Sequence, residues 1–94
     1  MKTYIIGYDV SGDRARRRTA RTLEAHGTRV QRSVFEVHLR HDTQLHELLE
    51  RLRQELAEEE GVDIRAWRLT EQGRRQSVSL SGEPVSPLPA IIIL

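Results

Sequence analysis

The 94-residue sequence contains no cysteine, few aromatic side chains and no long hydrophobic run. Without thiols, neither a disulfide framework nor a thiolate metal site can form, and the reducing cytosol is the expected compartment. The apolar N-terminal segment is interrupted by Gly7 and Asp9, and it falls far short of the roughly 18 residues that a membrane span requires. We therefore expect a cytoplasmic protein without a membrane partner, whose core is built mainly from aliphatic side chains.

Charge is unevenly distributed along the chain. Residues 1–40 carry nine Lys or Arg against four Asp or Glu, whereas residues 41–94 carry six against ten. The two parts therefore have formal charges of +5 and −4, although the whole chain has a net charge of only +1. This asymmetry favours a basic face that binds an anion such as nucleic acid, and a merely solvated surface is the alternative.

Hydrophobic periodicity predicts the order of the secondary structure. A further short strand is expected at Ser77–Leu80, after the main predicted elements. The main predicted elements are a strand at Thr3–Val10, a helix capped by Asp13 that runs to about His26, one long or two short strands within Arg29–Leu39, a helix that Asp42 or Thr43 caps and Gly61 ends, and a strand at Val62–Thr70.

Two helices among four short strands, in the order βαβ(β)αβ, predict an α+β fold of the ferredoxin-like, split βαβ type, with both helices on one face of an antiparallel sheet. Residues 1–80 would form this domain, and residues 81–94 a proline-containing tail. The tail ends in four consecutive aliphatic residues, which are expected to be buried because a free apolar edge promotes aggregation. The terminal strand either completes its own sheet or joins the sheet of a second copy, which would make the protein a homodimer.

Asp9 is the first candidate for a catalytic role, because it is a carboxylate at the end of a predicted central strand. A turn-forming role is the alternative. If a twofold axis brought two Asp9 side chains together, the paired carboxylates would suit Mg²⁺, which is a hard cation. Waters and phosphate oxygens can complete its coordination shell. Ser11 and Asp13 could add an oxygen ligand, although capping the helix is the favoured role for Asp13.

Arginine is concentrated at the start of the first predicted helix. A helix N-terminus already favours anions, and guanidinium groups add strong phosphate donors. The region is therefore a candidate surface for nucleic acid. The arginines are Arg14, Arg16, Arg17, Arg18 and Arg21.

The histidines at positions 38, 41 and 46 do not have the spacing of a zinc site. Glu36 and Glu58–Glu60 are expected to be solvated.

Three segments of the sequence resemble the small CRISPR-associated endoribonuclease family, the second core protein of those systems. They are the strand YIIGYDV, the run RVQRSVFEVHL and the strand DIRAWRL, in matching order over about residues 3–70. The resemblance implies a ferredoxin-like homodimer in which Asp9 and its copy in the partner subunit bind a divalent metal, expected to be Mg²⁺. It also implies a C-terminal strand that is shared with the partner.

The same resemblance implies roles for individual residues. Asp9 would be the catalytic and metal-binding residue. The motif positions place Arg16, Arg18 and Arg29 on the nucleic-acid backbone. They place Tyr8, Ser33 and Phe35 beside the site.

Several functions are compatible with these features. The leading hypothesis is a metal-dependent endonuclease that hydrolyses phosphodiester bonds of RNA or DNA in spacer acquisition and antiviral defence. A non-catalytic DNA-binding adaptor for the CRISPR integrase subunit is the main alternative. A toxin-like ribonuclease of the same fold is a third hypothesis, and a small-molecule sensor is a fourth that the excess of arginine disfavours.

Overall fold

Four strands and three helices follow one another in residues 1–82, the part of the chain that the computed structural model describes. Among these residues, no helix has the length and apolar character needed to cross a membrane. The elements are β1 (Lys2–Val10), α1 (Asp13–Glu24), β2 (Gly27–Gln31), β3 (Val34–Leu39), α2 (Asp42–Glu55), β4 (Val62–Leu69) and α3 (Glu71–Arg75).

The strands form one antiparallel sheet in the order β2-β3-β1-β4. This is the predicted ferredoxin-like arrangement, with β1 at the centre between β3 and β4. Of the two arrangements considered for Arg29–Leu39, the structure contains two short strands, and they are joined by a turn at residues 32–33. The pairing of β2 with β3 is irregular between Arg29 and Gln31, as expected for a bulge.

The hydrophobic core lies between the sheet and helices α1 and α2. Side chains at alternate positions of β1 and β3 enter it because successive residues of a strand face opposite sides. Helix α1 adds small residues, which allow close approach to the sheet, and α2 adds a leucine stripe. The buried apolar residues are Tyr4, Ile6, Tyr8, Val10, Ala15, Ala20, Leu23, Phe35, Val37, Leu39, Leu48, Leu52 and Leu56.

The ends of the helices differ from their sequence predictions. Helix α1 ends at Glu24, and Asp13 is its first helical residue, with Gly12 at the N-cap position. The Asp13 carboxylate contacts Arg16 and caps no backbone group. At the start of helix α2, Gln44 Oε1 accepts a hydrogen bond from the His41 amide at 3.2 Å, and the Gln44 amide donates to the His41 carbonyl at 3.0 Å. Asp42 is already inside the helix.

The segment after β4 also differs from its prediction. Glu71–Arg75 forms the short helix α3, which Thr70 caps by accepting a hydrogen bond from the Gly73 amide at 3.0 Å. The predicted strand at Ser77–Leu80 is wrong, because these residues are in turn and irregular conformation. The terminal strand expected in residues 81–94 falls almost wholly on residues 83–94, which lie outside the described part of the chain.

Glu36 is buried rather than solvated, which corrects the sequence prediction. Its side chain is on the sheet face opposite α1 and α2, yet its exposure is 0%. Neither carboxylate oxygen has a hydrogen-bond partner in the described structure. Burial raises the pKa of Glu36, while Arg74 partly lowers it and Glu71 raises it.

The buried Glu36 should make stability depend on pH. Its pKa is higher in the folded chain than in the unfolded one, where about 4.3 is typical for glutamate. The contribution of Glu36 to stability should therefore be greatest below the unfolded pKa and should be lost as pH rises through the folded pKa, because the folded state binds the proton more tightly. Thermal unfolding of Glu36→Gln across acidic and neutral pH should lack this decline. The solvated Glu58→Gln is the control, and an unchanged profile in Glu36→Gln would contradict the prediction.

Candidate functional site

Asp9 lies near the end of the central strand, on the sheet face that α1 and α2 leave uncovered. Its side chain is exposed because Tyr8 and Val10, its neighbours, point into the core. In the pairing of β1 with β4, Asp9 is directly opposite Asp63. Asp63 Oδ1 accepts a hydrogen bond from Arg65 Nε at 3.0 Å, and this contact with Asp63 raises the pKa of Arg65. Arg65 therefore offsets part of the charge that the two facing aspartates create.

A shallow recess of about 270 Å³ surrounds Asp9. Trp67, which is 55% exposed, forms one wall. Its ring lies across Gly7, since a Cβ on Gly7 would come within 3.3 Å of the Trp67 Cζ3 atom. Glycine at this position allows the indole to approach the β1 backbone closely. The recess is lined by Gly7, Tyr8, Asp9, Ser33, Val34, Asp63, Arg65 and Trp67.

The donors near Asp9 suit a divalent cation in kind but are few in one chain. Within residues 1–82, no three or more His, Cys, Asp or Glu side chains converge. Asp63 forms an ion pair with Arg65, so Asp9 is the carboxylate of the recess that has no ion pair within residues 1–82. Mg²⁺ can be held by one or two carboxylates together with waters and substrate phosphate. Asp9 therefore fits a site that substrate and a second carboxylate would complete.

A basic cleft of about 350 Å³ lies between α1 and the β2–β3 hairpin, next to the recess. Five of its lining residues are arginines, and Glu24 is its one acidic residue. Tyr8 and Ser33 line both the cleft and the recess, so the two cavities adjoin at this pair. The basic cleft is lined by Tyr8, Arg16, Arg17, Ala20, Arg21, Glu24, Arg29, Arg32 and Ser33.

Arg29 is the most restrained arginine of the basic cleft. Its Nη1 donates to the Arg32 carbonyl at 2.6 Å, and its guanidinium lies 5.1 Å from the centre of the Phe35 ring. Its Nη2 also lies 3.9 Å from Glu24 Oε1. Phe35 has an exposure of 0%, so it touches Arg29 from within the core. These contacts hold the guanidinium in place while leaving it exposed to an incoming phosphate.

Arg16 connects the basic cleft to the end of β1. Its Nη1 donates to the Val10 carbonyl at 3.2 Å, and its Nη2 pairs with Asp13. Val10 directly follows Asp9, so Arg16 is anchored one residue from the candidate catalytic carboxylate. The structure thus brings Arg16 and Arg29 into one cavity next to Asp9.

Arg18 lies apart from Arg16 and Arg29. Its Nη1 donates to the Glu55 carbonyl at 3.0 Å, at the C-terminal end of α2. A cation there donates a hydrogen bond to a free carbonyl and interacts favourably with the negative end of the helix dipole. Thr22 donates to the Glu55 carboxylate close by, at 2.9 Å. In this structure Arg18 therefore joins the two helices and does not line the basic cleft.

Sequence reasoning missed several residues of the two cavities. Arg32 reaches the basic cleft from the turn between β2 and β3, and Arg17 and Arg21 were noted only as members of the arginine run. Asp63 and Trp67 lie beside Asp9 only because of the β1–β4 register. The alternation of β4 identifies their face of the sheet, but it does not reveal their neighbours.

The sequence matches the family described as CRISPR associated protein Cas2 over residues 1–77. The chain belongs to the Cas2 family. Two curated relatives are similar along most of their length. CRISPR-associated endoribonuclease Cas2 1 of Chloroflexus aurantiacus is 38% identical over 86 residues, covering 89% of this chain and 88% of the relative. CRISPR-associated endoribonuclease Cas2 3 of Synechocystis is 40% identical over 84 residues, with the same coverage of 89% and 88%.

Solved structures share the fold. A chain of a partial Cas6-RT-Cas1–Cas2 complex superposes with a TM-score of 0.80 at 35% identity, covering 100% of both chains. Streptococcus pyogenes Cas2 gives a TM-score of 0.71 at 26% identity, covering 83% of this chain and 98% of that one. A hypothetical protein of Thermus thermophilus gives 0.69 at 31% identity, with coverage of 94% and 96%. The ferredoxin-like sheet is thus common to this chain and to Cas2 structures.

The different positions of Arg17 and Arg18 predict different effects on stability. Arg18→Ala should lower the free energy of unfolding by about 1 kcal/mol, because the Glu55 carbonyl loses a charged donor. Arg17→Ala removes an exposed side chain and should change it by less than about 0.5 kcal/mol. Urea unfolding of both variants measures the difference, and equal stabilities would show that the Arg18 contact contributes nothing.

Proposed function

We propose that this Cas2-family chain is a CRISPR-associated endonuclease that hydrolyses phosphodiester bonds of RNA or DNA in spacer acquisition and antiviral defence. One observation carries the proposal: the recess lined by the exposed Asp9 adjoins a cleft with five arginines, since Tyr8 and Ser33 line both cavities. A nucleic-acid backbone bound in the basic cleft would pass close to Asp9. The curated relatives are named endoribonucleases, and these names support the same reaction class.

Each group has a distinct role in this proposal. The arginines of the basic cleft bind phosphates, and their fixed, forked donors orient the backbone. Arg16 and Arg29 are anchored to the protein itself, since each donates to a backbone carbonyl. Asp9 acts at the scissile phosphate, where its carboxylate would hold a divalent cation such as Mg²⁺. When bound, such a cation polarises the phosphodiester and lowers the pKa of water.

We infer that the active unit is a homodimer. One chain offers a single uncommitted carboxylate in the recess, because Asp63 is paired with Arg65. A twofold axis beside β1 would add Asp9 of a second copy and complete a pair of carboxylates. The sheet face around Asp9 and Trp67 is uncovered by α1 and α2, which leaves it accessible to that second copy. The cytoplasm is the compartment in which nucleic acid and such a dimer would meet.

The second candidate function is a non-catalytic DNA-binding adaptor for the CRISPR integrase. It is favoured by the small number of metal-ligating side chains near Asp9, with no set of three among residues 1–82. The structural neighbour that belongs to a complex containing Cas1 and Cas2 also fits this role. An adaptor needs the basic cleft and an integrase subunit as partner, but it does not need Asp9.

Asp9→Asn distinguishes the two functions. In the nuclease, this change should reduce Mg²⁺-dependent cleavage of labelled single-stranded RNA or duplex DNA at least about a hundredfold, the lower range for a positioned catalytic group. Binding to the same substrates should persist, because the arginines are unchanged. Cleavage products are measured on denaturing gels with and without Mg²⁺, after light scattering has shown the same mass for each protein.

Asp42→Asn is the matched control, since Asp42 contacts Tyr4 and Arg68 away from the basic cleft and the recess. It should cleave like the wild type. Equal cleavage by wild type and Asp9→Asn would contradict the role of Asp9. Salt-sensitive binding by all three proteins, without cleavage by any, would favour the adaptor.

A further inference from the structure

The turn between β2 and β3 is held by one backbone acceptor that two side chains share. The Arg32 carbonyl accepts a hydrogen bond from Arg29 Nη1 at 2.6 Å and another from the Tyr8 hydroxyl at 3.3 Å. A carbonyl oxygen has two lone pairs, so both donors can be satisfied at once. The turn is also held through the backbone, because the Tyr8 amide donates to the Ser33 carbonyl at 3.0 Å.

Tyr8 occupies a particular place between the two cavities. Its residue position directly precedes Asp9 in β1, and its ring lies on the opposite face of the sheet, in the core. The ring centre is 6.2 Å from that of Phe35, on which the Arg29 guanidinium lies. Tyr8 therefore contacts the support of Arg29 in two ways, through the Arg32 carbonyl and through Phe35.

We propose that Tyr8 is a positioning residue for nucleic-acid binding, which acts by fixing the Arg32 carbonyl and thereby the Arg29 guanidinium at a set position relative to Asp9. This inference deepens the proposed function and rests on the basic cleft as its nucleic-acid site. Tyr8 has an exposure of 7%, so its effect passes through Arg29 and not through direct contact with a nucleotide.

The physical basis is preorganisation. A free arginine side chain has many rotamers, and ordering them when a phosphate binds reduces affinity. Arg29 has already lost that freedom, because its guanidinium is held by the Arg32 carbonyl and the Phe35 ring. The carbonyl is a good anchor only if the turn itself is fixed, and the Tyr8 hydroxyl contributes the side-chain bond that fixes it.

A double-mutant cycle with Tyr8→Phe and Arg29→Ala tests the coupling. Tyr8→Phe should weaken binding of duplex DNA by about three- to tenfold, the range expected when one long side chain has to be ordered on binding. Arg29→Ala should weaken binding more. It should also reduce the magnitude of the slope of log affinity against log salt by about one, as expected for the loss of one phosphate contact. In the Arg29→Ala background, adding Tyr8→Phe should change affinity by less than about twofold, because the coupled residue is already absent.

Tyr4→Phe is the matched control. Tyr4 is the other buried tyrosine of β1, and its hydroxyl donates to Asp42 at the far end of the strand. Its removal deletes the same chemical group from the same core, and it should leave the affinity and the salt slope unchanged. Equal loss of binding in Tyr4→Phe and Tyr8→Phe would assign the effect to general destabilisation and would overturn the proposal.

A second measurement does not need nucleic acid. The ¹⁵N relaxation of Arg29 Nε should give a higher order parameter in the wild type and in Tyr4→Phe than in Tyr8→Phe. An order parameter that Tyr8→Phe leaves unchanged would overturn the proposal even if binding fell. If no protein bound nucleic acid, the proposed function would fail, whereas the relaxation result would still decide whether Tyr8 positions Arg29.

Discussion

The two-residue period of β1 is the constraint on which the rest of the structure depends. Tyr4, Ile6, Tyr8 and Val10 fill the core from one side of this central strand, and Asp9 is exposed on the other. A register shift of one residue would reverse both sets, burying a carboxylate and exposing the aromatic rings. The free energy of core packing therefore also fixes the orientation of Asp9. The candidate catalytic residue needs no other device to hold it at the surface.

Much of the fold could be predicted from the sequence because apolar periodicity is a strong local signal. The leucines of α2 and the alternation in β1 and β4 identified these elements, and the order of elements led to the ferredoxin-like sheet. The sequence predicts a solvated Glu36, which the structure contradicts. Its burial was missed because the pattern tells which face a residue occupies and not what covers that face. The short helix α3, whose Arg74 and Glu71 act on the pKa of Glu36, carries no apolar stripe of its own.

The arginine run of α1 illustrates a second limit of sequence reasoning. Successive residues of a helix point about 100° apart, so neighbouring arginines face different surroundings. Arg16 and Arg17 line the basic cleft, whereas Arg18 reaches the end of α2. Composition alone counts all of them as equivalent cations. The structure divides them between the basic cleft and the contact with α2, and the division follows from the positions of α2 and the β2–β3 hairpin, which no local pattern contains.

The irregular pairing of β2 near Arg29 has a consequence for sheet growth. In residues 1–82, β2 and β4 are the two edges of the sheet, each with backbone groups that a further strand could pair with. The bulge between Arg29 and Gln31 interrupts the regular spacing that such a strand would need at the β2 edge. The β4 strand pairs with β1 in unbroken register along eight residues, from Val62 to Leu69. The regular geometry of β4 suits pairing with a further strand better than the irregular β2 edge does. Another chain segment that extended the sheet would therefore add at the β4 edge.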